Sequence, residues 1–176
     1  MLHPTLRLWQ FSLAFALLVS CVVSKPADSA EFSIATFQVD VSPPVGSPLA
    51  YDPTRGVSQP LLAKGIVLQP KAEQPIVLVA VDWLGAANKT QHEFRKALAE
   101  AVGSMPQRVA VHTIHQHDAP RCDLSAAEVL ARYNMERQHY DAKYIRDCIR
   151  RTAEDAKSAL GTTETDTCHL SGRAKS

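Results

Sequence analysis

No excess of charge marks this chain. Its 19 basic and 18 acidic side chains leave a formal net charge of +1, too weak a field to hold a phosphate backbone. Basic residues interleaved with aromatics are missing as well, so nucleic acid is excluded as an expected partner. Cysteines number only 4, and no two stand at the C-x-x-C spacing of a zinc or redox site. The Gly-x-Ser-x-Gly elbow of serine hydrolases, a glycine-rich phosphate loop and the His-Glu-x-x-His zinc helix are all absent. So are internal repeats and low-complexity tracts. At 176 residues the chain has room for one domain, at roughly 100–200 residues each.

Charge is lacking altogether from Leu8 to Val23, a stretch preceded by Arg7 and followed by Ser24-Lys25-Pro26. That layout over residues 1–30 is expected to be an export signal. The stretch is shorter than the ~20 residues of a membrane-spanning helix and is interrupted by Trp9, Gln10 and serines, which favours a removed signal over a permanent span. Leu18-Val19-Ser20-Cys21 resembles a bacterial lipobox, with cleavage before Cys21 and lipidation of that cysteine. Val22-Val23-Ser24 and Asp28-Ser29-Ala30 are rival cleavage sites. Either route implies a location outside the cytoplasm: periplasmic, secreted, or lipid-anchored with membrane-surface association. Cys122, Cys148 and Cys168 then remain, an odd count for a compartment that permits disulfides. Cys122 lies five residues past His117 and is read as a buried, inert thiol in preference to a ligand.

Residues 31–176 form the expected folded domain. Apolar and polar residues alternate from Phe32 to Val41, ending in Ser42-Pro43-Pro44-Val45-Gly46, which predicts a strand entering a rigid turn. Pro48 to Pro60 reads as a long loop, a length often functional, containing Tyr51-Asp52-Pro53 and Arg55-Gly56. Leu61–Leu68 and Pro75–Val81 are two further strands joined by a hairpin connection, the second apolar on both faces as a central strand is. Thr90-Gln91-His92-Glu93 predicts a capping box. After it, Phe94, Ala97, Leu98, Ala101 and Val102 mark one buried helical stripe that Gly103 ends. A strand from Val109 to Ile114 follows, so the fold class is α/β, a mixed sheet with a right-handed strand-helix-strand crossover. Ser125-Ala126-Ala127-Glu128 predicts a second capping box, and helical spacing runs from Asp141 to Gly161. An unfinished sheet edge is expected to favour self-association.

The chemistry concentrates in His115-Gln116-His117-Asp118-Ala119-Pro120. With His112, three of the 7 histidines fall within six positions. A His-x-His pair at a strand end places both imidazoles on one side, because strand side chains alternate with period two. Zn²⁺ suits two imidazoles and a carboxylate. In an open α/β sheet, ligands bind beyond the carboxyl ends of the strands, and there the topology also brings Asp82. Asp82 and Asp118 are therefore candidates to assist the metal, Asp82 with the equal alternative of capping the turn Gly85-Ala86-Ala87-Asn88. His112, inside the apolar strand, reads as a satisfied core or sheet histidine. Asp118 directly after His117 breaks the His-x-His-x-Asp-His pattern of metallo-β-lactamases and excludes that family.

Four segments in order resemble the N-terminal region of the neutral/alkaline non-lysosomal ceramidases: Asp40-Val41-Ser42-Pro43-Pro44-Val45-Gly46, Ala50-Tyr51, an apolar strand ending in Asp82, and His115-Gln116-His117-Asp118-Ala119-Pro120. The family carries His-Thr-His-Ser-Gly-Pro in the last of these, so Gln116, Asp118 and Ala119 are departures. The resemblance implies a partial version of the neutral ceramidase catalytic domain and a zinc-dependent amidohydrolase acting on a lipid amide such as ceramide. By the same resemblance His115 is a zinc ligand, and His117 lies near the reacting carbonyl as the catalytic group or as a second ligand. Family members run on for several hundred residues and take further ligands there: a histidine, a glutamate and a tyrosine. This chain is accordingly expected to be an N-terminal fragment that holds zinc weakly and is inactive by itself. Thr167 to Lys175 reads as the start of another strand. The alternative is a non-catalytic exported or lipid-anchored binding module built on the same sheet, and a third reading is a structural domain with incidental histidines.

Overall fold

The computed structural model describes residues 32–161. The signal, Cys21, Cys168 and the strand expected after Thr167 lie outside them.

Strand β1 (Phe32–Asp40) pairs antiparallel with β2 (Leu62–Pro70), β2 antiparallel with β3 (Ile76–Val81), and β3 parallel with β5 (Val109–Thr113), in the order β1-β2-β3-β5. Helix α1 (Asn88–Val102) makes the parallel crossover that the periodicity predicts. It ends at Gly103, whose φ of 70° is the left-handed conformation a helix stop requires. A second, two-stranded parallel sheet joins β4 (Gly85–Ala87) to β6 (Arg121–Asp123), followed by α2 (Leu124–Ala131) and α3 (Ala142–Leu160). Helices α1 and α3 pack together against one face of the large sheet. Period two then sorts the strands: Phe37, Val67, Val77, Val79 and Val111 enter the core with Trp83, Phe94, Leu98 and Ile145. Phe37 lies over its cross-strand partner Gly65, where an added Cβ would sit 2.1 Å from the ring, so only glycine fits that approach.

The opposite face carries Thr36, Lys64, Ile66, Leu78 and His112, and among the described residues nothing covers it, leaving Leu78 41% exposed. Two expectations change here. The central strand β3 is buried on one face only. His112, expected as a core or sheet histidine, is a sheet residue exposed on the outer face and not a core one, because Val109 and Val111 take the inward positions of this strand and period two turns His112 outward.

Both expected capping boxes are replaced by a reciprocal arrangement. Helix α1 begins at Asn88 with no side-chain cap from its own N-cap residue, Ala87. Thr90 sits buried in the first turn, where its hydroxyl accepts the Leu124 amide of α2 at 2.9 Å. The Ser125 hydroxyl accepts the Lys89 amide of α1 at 3.3 Å, and Asp123 caps α2 by accepting the Ser125 and Ala126 amides. Parallel pairing of β4 with β6 brings the two helix starts side by side, so each hydroxyl finds a free amide on the neighbouring helix. Glu93 and Glu128, the glutamates expected to complete the boxes, pair with Lys89 and Arg146.

The sheet edges are also occupied. On β5, Val109 and Val111 carbonyls accept from Arg95 Nε at 3.0 Å and Gln91 Nε2 at 2.8 Å, both on the crossover helix. On β1, the Gln38 amide donates to Asp155 at 3.2 Å and the Asp40 carbonyl accepts from Arg151, both on α3. Helix side chains thus engage four edge groups that a neighbouring strand could otherwise pair with. Replacing Gln91 and Arg95 together by alanine reopens two β5 carbonyls. Dynamic light scattering is expected to show the variant associating at concentrations where the parent scatters as a smaller species, and equal scattering by both would contradict this role.

Candidate functional site

The histidine segment 114–120 joins β5 to β6, and Leu84 lies between β3 and β4. The two are clamped together. The Leu84 amide donates to the Pro120 carbonyl at 3.2 Å, and the Leu84 carbonyl lies 3.1 Å from His115 Nδ1. A carbonyl can only accept, so Nδ1 of His115 carries the proton and, in the neutral ring, Nε2 keeps its lone pair. Metal-ligating histidines show this arrangement, the second nitrogen held by a backbone carbonyl.

His115 has φ +63°, a left-handed conformation that costs a residue with a Cβ about 1–2 kcal/mol. Strain of this kind persists where surrounding structure enforces it, and it clusters at functional sites. It also changes the geometric argument for the pair. β5 ends at Thr113, so strand alternation does not carry through to His117. The turn at His115 brings the rings together instead, with centroids 5.0 Å apart at 72°. Both residues are exposed, while Ala119 and Pro120, beyond the exposed Asp118, are buried and anchor the loop.

Asp82 and Asp118 do not join this pair. Among the described residues no three histidine, cysteine or acidic side chains gather as a metal-binding group. Asp82 closes the end of the β2–β3 ladder: its amide donates to the Leu62 carbonyl and its carboxylate accepts the Leu62 amide, each at 2.9 Å. The partner is therefore β2, not the turn at Gly85–Asn88. Asp118 lines a neighbouring cleft of about 420 Å³ with Asp52, Arg55 and Gln116, and its amide donates to the Gln116 side chain at 2.8 Å. Cys122 and Cys148 are free and buried, and burial pushes the Cys122 thiol well above its ordinary pKa and the Cys148 thiol to about 11. Cys122 is the inert thiol expected from the sequence.

Tyr51 is the residue whose part the sequence leaves unread. Segment 46–54 folds back on itself through Gly46 to Thr54 and Thr54 to Ser47 hydrogen bonds, each 2.8 Å, and presents Tyr51 at its tip. The tip is fastened to the histidine loop by the Ala50 amide donating to Ala119 at 3.1 Å and by Arg121 donating to the Ala50 carbonyl at 3.0 Å. The Tyr51 hydroxyl then stands 3.3 Å from His117 Nδ1. Beforehand the sequence signalled it only by a tyrosine in a loop of functional length and by Ala50-Tyr51 among the resembling segments, neither of which pairs it with His117.

No family model matches the chain, and neither does any curated protein. Solved structures do. A ceramidase complexed with C2 superposes with a TM-score of 0.55 at 15% identity over 77% of this chain and 22% of its own. The neutral ceramidase from Pseudomonas aeruginosa gives a TM-score of 0.55 at 16% identity over 78% of this chain and 23% of its own. The chain has a ceramidase-like fold. It spans between a fifth and a quarter of the length of these neighbours, and at such identity the likeness carries the α/β architecture alone.

Proposed function

We propose that this chain supplies the His-x-His part of a metal-dependent amide hydrolase site of neutral ceramidase type, in an exported protein whose substrate is an N-acyl amide such as ceramide. The observation that carries this reading is the pre-set His115, strained at φ +63° and held through Nδ1 so that Nε2 is free beside His117. The donor set fits zinc: His115 Nε2 is a neutral imidazole lone pair, and His117 is near enough to be a second ligand or to face a bound carbonyl. Zinc held there supplies Lewis-acid polarisation of the amide carbonyl and a more acidic water. His115 would hold the metal through Nε2, with the Leu84 carbonyl orienting its ring, and His117 would donate to the oxygen on which charge develops. Asp118 lines the adjoining cleft beside Gln116, and Asp82 supports the strand end that carries Trp83 and Leu84. The ceramidase-like fold supports the substrate class, and the uncharged Leu8 to Val23 segment supports export.

The same donor count favours the second reading, a binding module without catalysis. Two imidazoles fall short of the three protein ligands of a catalytic zinc site. Calorimetric titration of the full chain with zinc is expected to show one weak site, well short of the roughly 10–16 kcal/mol of a four-ligand structural site. Binding is expected to vanish when His115→Ala and His117→Ala are combined. Undiminished binding in that double variant would remove the assignment.

A further inference from the structure

The two imidazoles are not equivalent. His115 offers a lone pair at Nε2, because its Nδ1 proton is held by the Leu84 carbonyl. His117 faces a different group, the phenol of Tyr51, at 3.3 Å from Nδ1, with ring centroids 5.9 Å apart. A phenol is a stronger proton donor than a neutral imidazole N–H, and an imidazole nitrogen is a better base than a phenol oxygen. The hydroxyl therefore donates and Nδ1 accepts, which leaves the His117 proton on Nε2.

We infer that Tyr51 is a positioning residue that fixes His117 in the Nε2–H tautomer, making it the hydrogen-bond donor of the pair while His115 keeps the lone pair. The assignment of what the two nitrogens serve rests on the function proposed above. The tautomers themselves do not. Tyr51 is suited to the part because it is set by backbone rather than by burial: its side chain is 74% exposed, yet the neighbouring Ala50 is bonded at both its amide and its carbonyl to the histidine loop and β6. The phenol is thereby delivered to one nitrogen without packing around it. Complementary nitrogens suit an amide, whose cleavage needs a donor at the carbonyl oxygen and an acceptor or ligand beside it.

Nitrogen NMR of the histidine side chains in the metal-free full chain tests this at about pH 8, above the ordinary imidazole pKa of ~6.5. His115→Ala and His117→Ala assign the two sets of signals. The parent is expected to show His117 protonated at Nε2 and His115 at Nδ1. Tyr51→Phe, which keeps the ring and the Ala50 bonds, is expected to shift His117 alone toward the mixed tautomers of a free imidazole, with an unchanged thermal midpoint. A His117 protonated at Nδ1 in the parent, or unaltered by Tyr51→Phe, would overturn the inference. Because no metal enters these spectra, a chain that binds no zinc defeats the proposed function and leaves the tautomers to be judged separately.

Discussion

Trp83→Ala is expected to lower the stability of the folded chain by about 3–5 kcal/mol, the cost of deleting a large buried aromatic side chain. Trp83 is fully buried and meets Phe94 edge-on at 6.0 Å and Tyr144 at 6.1 Å. Its indole N–H donates to the Tyr144 hydroxyl at 3.0 Å, and that hydroxyl donates in turn to the Val41 carbonyl. One side chain thus ties the end of β3 to α1, to α3 and to the exit of β1. Burial drives the Tyr144 hydroxyl pKa upward, so it stays protonated as that donor. Native domains have about 5–15 kcal/mol in total, so the loss takes much of the margin. Trp83→Phe keeps most of the volume, removes the donor to Tyr144 and is expected to cost less. Urea unfolding of the three proteins measures both losses. A loss below about 1 kcal/mol for alanine would contradict the role given to this residue. The substitution reaches the site as well, since Trp83 immediately precedes the Leu84 carbonyl that orients His115.

The chain by itself is expected to show no measurable hydrolysis of N-acyl sphingoid amides, even with excess zinc. The described residues provide two imidazoles and no third acidic, cysteine or histidine partner in a metal-binding group. A loosely held metal does not fix a water against the carbonyl, and the several kcal/mol of Lewis-acid stabilisation are lost. His117 remains as a donor, yet one oxyanion donor contributes about 2.7–4 kcal/mol, against the 8 or more that separate an enzyme from the uncatalysed reaction. Release of fatty acid from short- and long-chain substrates, measured for the parent and for His115→Ala, decides the matter. Turnover that disappears in His115→Ala would show that the chain completes its own site and would make this expectation wrong.

Much of the architecture was legible because it is written at short range. Alternation with period two marked β1, apolar runs bounded by turn residues marked β2, β3 and β5, period 3.6 marked α1 and α3, and Gly103 marked a helix end that only a left-handed residue makes cheaply. Strand, helix, strand in that order left a parallel crossover as the economical topology, and the structure has it. The helical spacing expected after Asp141 is α3, and there the Asp141 carboxylate accepts the Tyr144 amide at 3.1 Å as its cap. The concentration of histidines at the end of β5 was visible as a cluster of one residue type.

What the sequence by itself determined, then, is which segments form the four strands of the large sheet and the helices, in what order, and that the imidazoles fall at the carboxyl end of a strand, while the short β4 and β6 appeared only in the fold. These follow from backbone period and local capping chemistry. The tertiary structure alone decided the partners. Thr90 and Ser125 have hydroxyls suited to capping their own helices, yet β4–β6 pairing offered each a free amide on the other helix. Asp82 closed on Leu62 across the β2–β3 ladder and not on the turn ahead of it. His115 took φ +63° because Leu84, clamped to Pro120, holds its ring, and Tyr51 met His117 because a loop 66 residues earlier in the chain is fastened beside it. A hydrogen bond depends on tenths of an ångström and on direction, quantities that emerge only when distant segments are packed, whereas hydrophobic period is a property of neighbours along the chain.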